Sequence, residues 1–312
     1  MASEIEPCAA CGEKRRRDSF LSDLARCSAC GHVVAANMPS AEDLQQLYSN
    51  TYFIGGEYFD YIADRAAAEA NARRHLRVLG QFSRNGRMLE IGCGYGFFIN
   101  LARARWDVEG VDIAAHAIRY ASGRMGLNAR CGDFLELNFA GAYDVLCLWD
   151  TIEHLRNPER YVAKASRLLR HGGILALTTG DIGSRVARFQ GRRWRLIHPP
   201  SHLHYFTRAS LSTLLHRHGF HVDAVHYEPQ YRSLRQVAHS LVGARRPSLR
   251  RLIGKLGHLP GAGFTFGLNL YDIMLVVARR EHPVPHPNED RGAARELHRE
   301  SSSANTAAHT GA

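Results

Sequence analysis

The sequence lacks any long hydrophobic run. Across its 312 residues, the longest uninterrupted apolar stretch is Ile273 to Ala278, far shorter than the ~20 residues that span a bilayer. The N-terminal stretch MASEIEPCAACGEKRRR has no apolar segment behind a positively charged start, so it does not resemble a secretory signal. We therefore expect a cytoplasmic protein that is not integral to a membrane.

The cysteine content does not indicate a disulfide-bonded protein. Seven cysteines, an odd number, in a chain without an export signal argue against a disulfide framework, because disulfides persist in oxidising compartments. Hydrophobic residues make up 45% and charged residues 22%, close to the averages of folded soluble proteins. At ~100 to 200 residues per domain, we expect one large domain and one small one.

Composition divides the chain into four segments. Residues 1–38 hold four cysteines and few aliphatic side chains, residues 39–84 have helical spacing, and residues 281–312 are polar and rich in Ser and Ala. Within 85–280, short aliphatic runs alternate with helical stretches, which predicts an α/β domain with a mostly parallel sheet. We expect a small unit, a helical connector, this α/β domain and a disordered tail.

Two stretches of the α/β domain interrupt this alternation. Residues 181–206 are rich in Arg, His and aromatic side chains, which at the ligand edge of a sheet predicts a lid. Residues 229–262 contain seven basic residues and no acidic one, which predicts a basic helical insertion. Residues 232–255 are typical of a helix on an anionic membrane surface, such as the inner face of the membrane, or of a solvated helix.

The four cysteines of the small unit are spaced as metal ligands. Cys8 and Cys11 form one Cys-x2-Cys pair, and fifteen residues later Cys27 and Cys30 form a second. Each pair makes a tight turn that presents two thiolates, so two pairs fill the four positions of a tetrahedral ion. We predict a zinc ribbon with a structural rather than a catalytic ion; four free thiols are the alternative.

A glycine-rich loop follows the first predicted strand of the α/β domain. The segment LEIGCGYG places Gly92, Gly94 and Gly96 between a strand and a helix, where a ligand can approach backbone amides. Twenty residues after Gly92, Asp112 ends the next predicted strand, where it can accept hydrogen bonds from ribose hydroxyls. Phe97 stands where the dinucleotide fingerprint GxGxxG needs its third glycine, which argues against NAD.

Four motifs together, LEIGCGYG, GVDI, CGDF and YDVLCLWDTIEHLRNPE, resemble the class I S-adenosylmethionine (SAM)-dependent methyltransferases over residues 85 to 225. The resemblance implies a Rossmann-like, mostly parallel seven-stranded sheet with an antiparallel last strand. It also implies SAM as the cofactor, with its methionine by the glycine loop, its ribose at Asp112 and its adenine beside Asp133. The implied cofactor-binding residues are Glu90, Gly92, Gly94, Gly96, Asp112, Ile113, Asp133, Phe134, Trp149 and Asp150.

The ribbon together with the segment HPPSHLHYFT resembles deoxysugar C-methyltransferases and related bacterial small-molecule methyltransferases. Those enzymes carry a Glu-His pair where this chain has Ser201 and His202. The methyl acceptor atom, oxygen, nitrogen or carbon, therefore stays open.

Two histidines are candidates for the chemistry at the acceptor. A general base with a pKa near neutral assists methylation of a hydroxyl or an acidic C–H group, and histidine fits this best. His154 lies four residues after Asp150, and His202 lies in the predicted lid. We expect His154 and His202 to be catalytic or acceptor-orienting, with packing or surface roles as the alternative.

Two classes of acceptor remain open. The predicted lid favours a small-molecule, sugar, glycan or lipid-linked acceptor. The net charge of +10 and the basic run at residues 14–17 favour RNA or a protein, which the ribbon would grip. A non-catalytic adaptor is disfavoured because it has no need of Glu90, Asp112 and Asp133.

Overall fold

The computed structural model describes residues 6–14, 17–21, 23–40, 42–44, 61–238 and 263–281. Three predicted features lie partly or wholly outside the described residues: the tail beyond Glu281, the centre of the basic insertion (239–262), and residues 45–60 of the connector. Arg15 and Arg16 of the basic run lie outside them too.

Strands and helices alternate along most of the described chain. The strands are β1 (Arg17–Phe20), β2 (Leu24–Cys27), β3 (Val33–Ala35), β4 (Arg87–Ile91), β5 (Asp107–Asp112), β6 (Ala129–Cys131), β7 (Tyr143–Trp149), β8 (Leu169–Gly180), β9 (His204–Tyr205), β10 (Phe220–Tyr227), β11 (Gln230–Ser233), β12 (Thr265–Leu268) and β13 (Ile273–Arg280). The α-helices are α1 (Arg65–Phe82), α2 (Phe97–Ala102), α3 (Ala115–Gly123), α4 (Pro158–Leu168), α5 (Arg185–Gln190), α6 (Arg208–Arg217) and α7 (Leu234–Ala238). In these described ranges, every helix is too short or too polar to cross a membrane.

The centre of the described fold is a seven-stranded sheet with the order β10-β13-β8-β7-β4-β5-β6. Strands β4 to β8 pair in parallel, and β13 runs antiparallel to both of its neighbours, β8 and β10. The predicted mostly parallel sheet with an antiparallel last strand is therefore confirmed.

Strand β7 shows why helices cover both faces of this sheet. Its side chains alternate between two hydrophobic clusters, with Val145 and Cys147 in one and Leu146 and Leu148 in the other. Residues of α1, α2 and α3 belong to the first cluster, and residues of α4 and α6 belong to the second. Because both faces are buried, the strand is apolar throughout, as parallel strands generally are.

The N-terminal unit shares a sheet with the predicted lid. Strands β1, β2 and β3 pair in succession, and β9 from the predicted lid adds to β3 in antiparallel register. Trp194 and Tyr205 pack with Leu24 and Val33 of the ribbon in one buried cluster. The sequence predicts a separate small unit and an outlying lid, whereas the structure packs the two segments into one layer.

Helix α1 is anchored to the start of the predicted basic insertion. Buried Asp64, just before the helix, accepts hydrogen bonds from the Ser233 hydroxyl at 2.6 Å and from Arg235 Nη2 at 2.8 Å. Arg74 of the helix pairs with Glu228. Arg235 is therefore held in a buried ion pair, which removes it from the predicted membrane-contacting stretch 232–255.

Candidate functional site

The predicted cofactor residues gather at the carboxyl ends of neighbouring parallel strands. Strand β4 lies between β5 and β7, and these three strands end at Ile91, Asp112 and Trp149. The chain leaves β4 for β5 on one side and reaches β7 on the other, so this edge is a topological switch point. Open α/β sheets bind ligands at such points.

The glycine loop after β4 leaves no room for side chains at two positions. A Cβ atom on Gly92 would lie 2.5 Å from Thr151 Oγ1, and one on Gly96 would lie 2.5 Å from Leu127 Cδ1. Both glycines have a φ of +80°, in the left-handed region that other residues rarely adopt. The loop is therefore a compact turn that packs directly against the loop after β7.

Asp112 ties the end of β5 to this loop. Its Oδ2 accepts a hydrogen bond from the Gly94 backbone N–H and its Oδ1 accepts one from the Ala114 N–H, each at 2.8 Å. Burial raises the pKa of the Asp112 carboxyl, although these two N–H groups oppose the shift. Each carboxylate oxygen has a second lone pair, so Asp112 can still accept two hydrogen bonds from hydroxyl groups.

Glu90 is a carboxylate buried inside the site. Its side chain is on β4, one residue before the strand ends, and the residue is 4% exposed. Burial, followed by the negative charge of Asp112, raises its pKa well above the usual value. Among the described residues, Glu90 Oε2 has no hydrogen-bond partner. Because an unsatisfied buried acceptor costs free energy, this oxygen fits a ligand that brings a cationic N–H donor.

The residues predicted beside adenine follow β5 and β6. Asp133 Oδ1 accepts a hydrogen bond from the Tyr161 hydroxyl at 2.7 Å. The Phe134 ring packs on Tyr161, and the residue is 2% exposed, so its side chain belongs to the core. Ile113 is 46% exposed and therefore offers an apolar surface at the end of β5.

Trp149 and Asp150 end strand β7 in an unusual conformation. Trp149 stacks on His75 of α1 with ring centroids 4.2 Å apart. Burial, followed by the charge of Arg74, lowers the pKa of His75 to about 3. Asp150 has a φ of +47°, and its backbone N–H and Oδ1 each lie 2.8 Å from the Thr178 hydroxyl. Backbone strain of this kind clusters at functional sites.

Tyr61 is a site residue that the sequence analysis missed. Its ring stacks on Tyr95 and Phe97 with centroids 5.7 and 5.6 Å apart. Burial raises the pKa of Tyr61, and the negative charges of Glu90 and Asp150 add to the shift. The only sequence signal is an aromatic residue shortly before a predicted helix, with no motif around it.

The two predicted catalytic histidines are brought together. The rings of His154 and His202 meet edge to face with centroids 4.6 Å apart. His154 Nδ1 lies 2.8 Å from the Ser201 carbonyl oxygen, and His202 Nδ1 lies 2.9 Å from the Leu196 carbonyl oxygen. Because a carbonyl oxygen only accepts, each ring donates from Nδ1 and keeps a lone pair on Nε2. Burial, followed by charge on His154, lowers the pKa of His202 far below its usual value.

The four predicted zinc ligands also converge. Cys8 Sγ lies 3.7 Å from Cys30 Sγ, and Cys11 Sγ lies 3.8 Å from Cys27 Sγ. All four sulfur atoms lie within 4.8 Å of one another. Sulfur atoms bound to one tetrahedral zinc at ~2.3 Å lie about 3.8 Å apart, so the cluster fits this ion.

The ribbon contacts the loop that carries His154. The Ala35 N–H donates to the Leu203 carbonyl at 2.8 Å, and the Leu203 N–H donates to the Glu153 carbonyl at 2.8 Å. On the other side of the ribbon, Arg217 of α6 donates to the Ala10 carbonyl, between the first two cysteines, at 2.8 Å. The four-cysteine unit is therefore held against the α/β domain by contacts at both Ala35 and Ala10.

Comparison with known proteins identifies the α/β domain. Residues 62–225, just over half of the chain, match the family model described as a methyltransferase domain. A probable S-adenosylmethionine-dependent methyltransferase of Mycolicibacterium smegmatis is 31% identical over 157 residues, or 48% of this chain and 59% of that protein. A ubiquinone biosynthesis O-methyltransferase of Bradyrhizobium is 28% identical over 99 residues, or 30% of this chain and 39% of that protein. The chain thus spans well under two thirds of these relatives.

Solved structures show the same fold. A methyltransferase from Bacillus halodurans superposes with a TM-score of 0.50 at 15% identity, covering 68% of this chain and 100% of that one. Magnesium protoporphyrin IX methyltransferase from Synechocystis, solved with bound SAH, also gives a TM-score of 0.50, at 13% identity and covering 78% of this chain and 100% of that one. At these identities the likeness concerns the fold alone.

Proposed function

Because the chain belongs to the methyltransferase-domain family, we propose that it is a SAM-dependent methyltransferase acting on a small-molecule, sugar, glycan or lipid-linked acceptor. The observation that carries the proposal is the buried Glu90 carboxylate, which is close enough to Asp112 for the two charges to interact and whose Oε2 has no hydrogen-bond partner among the described residues. A sulfonium nucleoside with an amino-acid ammonium group supplies the missing donor. When bound, SAM supplies a methyl group on positively charged sulfur.

The residues present fit SAM from one end to the other. Glu90 would accept hydrogen bonds from the methionine ammonium group, and the backbone of the glycine loop would lie along the methionine chain. Asp112 would use its remaining lone pairs for the ribose hydroxyls. Ile113 and the backbone at Phe134 would lie along the adenine. Asp133 would accept a hydrogen bond from the adenine through Oδ2, since its Oδ1 already accepts from the Tyr161 hydroxyl and the Leu135 N–H.

An enclosed acceptor side supports a small acceptor. Residues 201–206, which carry His202, are all buried, and β9 within them pairs with the ribbon. Near α1, Tyr61 stacks on Tyr95 of the glycine loop, and His75 stacks on Trp149 at the end of β7. Single-molecule acceptors and the ends of glycan or lipid-linked chains suit such a site better than a folded RNA.

The two histidines would deprotonate and orient the acceptor. The lone pair on His154 Nε2 can take the acceptor proton, since the Nδ1 hydrogen bond fixes the tautomer that leaves Nε2 free of a proton. The low pKa of His202 keeps it neutral, so it orients the acceptor through a hydrogen bond instead. Alignment of acceptor, methyl carbon and sulfur supplies much of the remaining rate acceleration.

The ribbon would have a structural role rather than a catalytic one. Four thiolates would hold one zinc ion and leave no position for water, so the ion takes no part in methyl transfer. Its position against residues 201–206 supports a role in shaping the acceptor side rather than in gripping RNA.

A transfer assay tests the proposal. The full chain is incubated with methyl-labelled SAM and a bacterial extract, which is then separated into small-molecule, glycan, lipid, nucleic-acid and protein fractions. We expect label in one of the first three fractions and its loss in Asp112→Ala. Asp107→Ala is the matched control, because Asp107 begins the same strand and its side chain is 79% exposed. Label in a nuclease-sensitive or protein fraction would contradict the acceptor class, and label that survives Asp112→Ala would contradict the cofactor site.

A further inference from the structure

A second group of metal-ligating side chains lies on the acceptor side, apart from the four cysteines. Glu153, His154 and His202 each offer one ligating atom, and these three atoms lie within 4.8 Å of one another. Glu153 and His202 are buried, at 5% and 7% exposure. Two imidazoles and one carboxylate in a buried place form a donor set that transition metals use and that ordinary packing does not require.

Both imidazoles are oriented as metal ligands are. A metal-binding histidine typically donates its other ring N–H to a backbone carbonyl or a carboxylate, which fixes the tautomer and aims the remaining lone pair. His154 does this through Ser201 and His202 does it through Leu196, at 2.8 and 2.9 Å. Each ring therefore keeps its lone pair on Nε2, the atom that would bind an ion.

The backbone holds the two contributing segments in register. Glu153 and His154 belong to the short helix Ile152–His154 after β7, and His202 precedes β9. The Leu203 N–H donates to the Glu153 carbonyl at 2.8 Å, and the Tyr205 hydroxyl donates to the His202 carbonyl at 3.0 Å. These hydrogen bonds therefore fix the relative positions of the two segments that carry the three ligands.

The three ligating atoms are close enough for an ion to draw them together. Nitrogen and oxygen ligands at ~2.1 Å from a tetrahedral zinc lie about 3.4 Å apart. The three atoms, all within 4.8 Å of one another, would move together by up to about 1.4 Å when an ion binds. Three protein ligands would leave one tetrahedral position open.

We propose that Glu153, His154 and His202 form a binding site for a divalent transition-metal ion of the zinc class, distinct from the ribbon site. This inference deepens the proposed function. Binding of the ion does not depend on that function, but the role of the ion at the acceptor rests on it. An ion here uses the same His154 lone pair that would otherwise take the acceptor proton. A hydroxyl acceptor would then bind at the open position of the ion, which would lower the pKa of the hydroxyl so that its proton passes to water before the oxygen takes the methyl group.

Metal counting on the wild-type full chain tests the site without any variant. The protein is loaded with excess Zn²⁺, passed through a desalting column, and analysed by mass spectrometry for metal content. We expect two zinc ions per chain. With Co²⁺ in place of zinc, the ribbon ion gives a thiolate-to-metal charge-transfer band, and the second ion adds visible absorption without such a band. Saturation at one ion, with thiolate bands only, would overturn the proposal.

Two conservative variants locate the second ion. In Glu153→Gln and His202→Asn the shape is nearly kept, and the Asn side-chain N–H can still donate to the Leu196 carbonyl. We expect each to bind one ion per chain and to keep its thiolate band. His221→Asn is the matched control because His221 is exposed on β10, where it contacts Asp223 and the His216 ring, so this variant should retain two ions. Two ions in both site variants would overturn the assignment.

The result separates this inference from the proposed function. A chain that transfers methyl groups but binds one metal ion refutes the second site and leaves the methyltransferase intact. A chain that binds two ions, with the second lost in His202→Asn, but transfers no label to any fraction refutes the proposed function and leaves the metal site.

Discussion

His32 Nε2 lies 3.0 Å from His204 Nδ1, and the two rings stack with centroids 5.3 Å apart. His32 follows Cys30 by two residues, and His204 begins β9, two residues after His202. The other ring nitrogen of His204 lies 3.3 Å from the Arg156 carbonyl oxygen, in the loop after His154. One pair of buried side chains therefore connects the four-cysteine unit to the two segments that carry His154 and His202.

Loss of the ribbon metal should impair turnover more than SAM binding. Cys27→Ser removes one of the four proposed metal ligands at the end of β2. Because β2 pairs with β3 and β3 pairs with β9, we expect residues 201–206 to become less ordered. We expect kcat to fall by about tenfold or more, equivalent to ~1.4 kcal/mol of transition-state stabilisation. SAM affinity, measured by calorimetry, should change by less than about twofold because β3 pairs with β9 and not with the strands that carry the glycine loop and Asp112.

Cys131→Ser is the control for this experiment, since Cys131 is an exposed thiol at the end of β6. It should retain its metal content and kcat. An unchanged kcat in a Cys27→Ser protein that has lost its thiolate-bound metal would show that the ribbon does not support the acceptor side.

Replacing Glu90 by Gln should move stability and affinity in opposite directions. A carboxyl whose pKa is raised by burial opposes folding at neutral pH, because its charged form is disfavoured in the folded state. Glu90→Gln removes that charge and should raise the free energy of unfolding by about 1 kcal/mol, within the ~1 to 3 kcal/mol cost of an unsatisfied buried group. SAM binding should weaken at least tenfold, about 1.4 kcal/mol.

Glu109→Gln provides the contrast in urea unfolding. Glu109 pairs with Leu89 of β4 across the sheet, but its carboxylate is partnered by Arg130 at 3.3 Å and by the Tyr143 hydroxyl. Its replacement should lower stability and leave SAM affinity unchanged. A destabilised Glu90→Gln protein would mean that Glu90 has a structural partner in place of a ligand.

Gly92→Ala should abolish SAM binding and destabilise the protein. The substitution adds a Cβ atom 2.5 Å from Thr151 Oγ1 in a backbone with φ +80°. Gly126→Ala separates the two causes, because Gly126 has φ +61° but open space around the position of a Cβ atom. We expect Gly126→Ala to cost only the backbone strain of ~1 to 2 kcal/mol, and Gly92→Ala to cost a further ~1 to 3 kcal/mol through crowding. Equal costs in thermal unfolding would mean that the loop has room to move.

The buried His75 should make stability depend on pH. Its folded pKa of about 3 lies below the ordinary value of 6.5, so the unfolded state binds more protons between these values. Its contribution is fully present above pH 6.5 and is lost as the pH falls toward 3, up to on the order of 4 kcal/mol.

His75→Phe keeps the stack on Trp149 and should flatten the urea-unfolding stability over this pH range. His221→Phe, at an exposed position on β10, should leave the slope as in the wild type. The same slope in His75→Phe and in the wild type would show that other groups cause the acid instability.

The sequence predicts the position of a residue where a short motif lies at the end of a predicted strand or helix. The glycine loop and Asp112 sit at the ends of adjacent strands, so their partnership follows from the strand-helix alternation that predicts the sheet. The four cysteines are equally local, because their spacing alone sets the turns that present the sulfur atoms. The prediction that His154 lies near Asp150 also follows from its position just after β7.

Long-range packing could not be predicted in this way. Tyr61 reaches the site only because α1 packs on the sheet, and no motif marks it. The antiparallel pairing of β3 with β9 joins Val33 to Tyr205 across more than half of the chain, with three residues in one strand and two in the other. Such short strands carry almost no periodicity, so the predicted lid and the predicted ribbon appear separate until the fold brings them together.

The most direct test is calorimetric titration of the wild-type chain, Asp112→Ala and Asp107→Ala with SAM. We predict one SAM per wild-type chain, and affinity about 10- to 150-fold weaker in Asp112→Ala, corresponding to ~1.5 to 3 kcal/mol for hydrogen bonds to a charged group. Asp107→Ala should bind as the wild type does. A wild-type chain that binds no SAM, or an Asp112→Ala variant that binds with unchanged affinity, would contradict the assignment of this strand edge as the methyl-donor site.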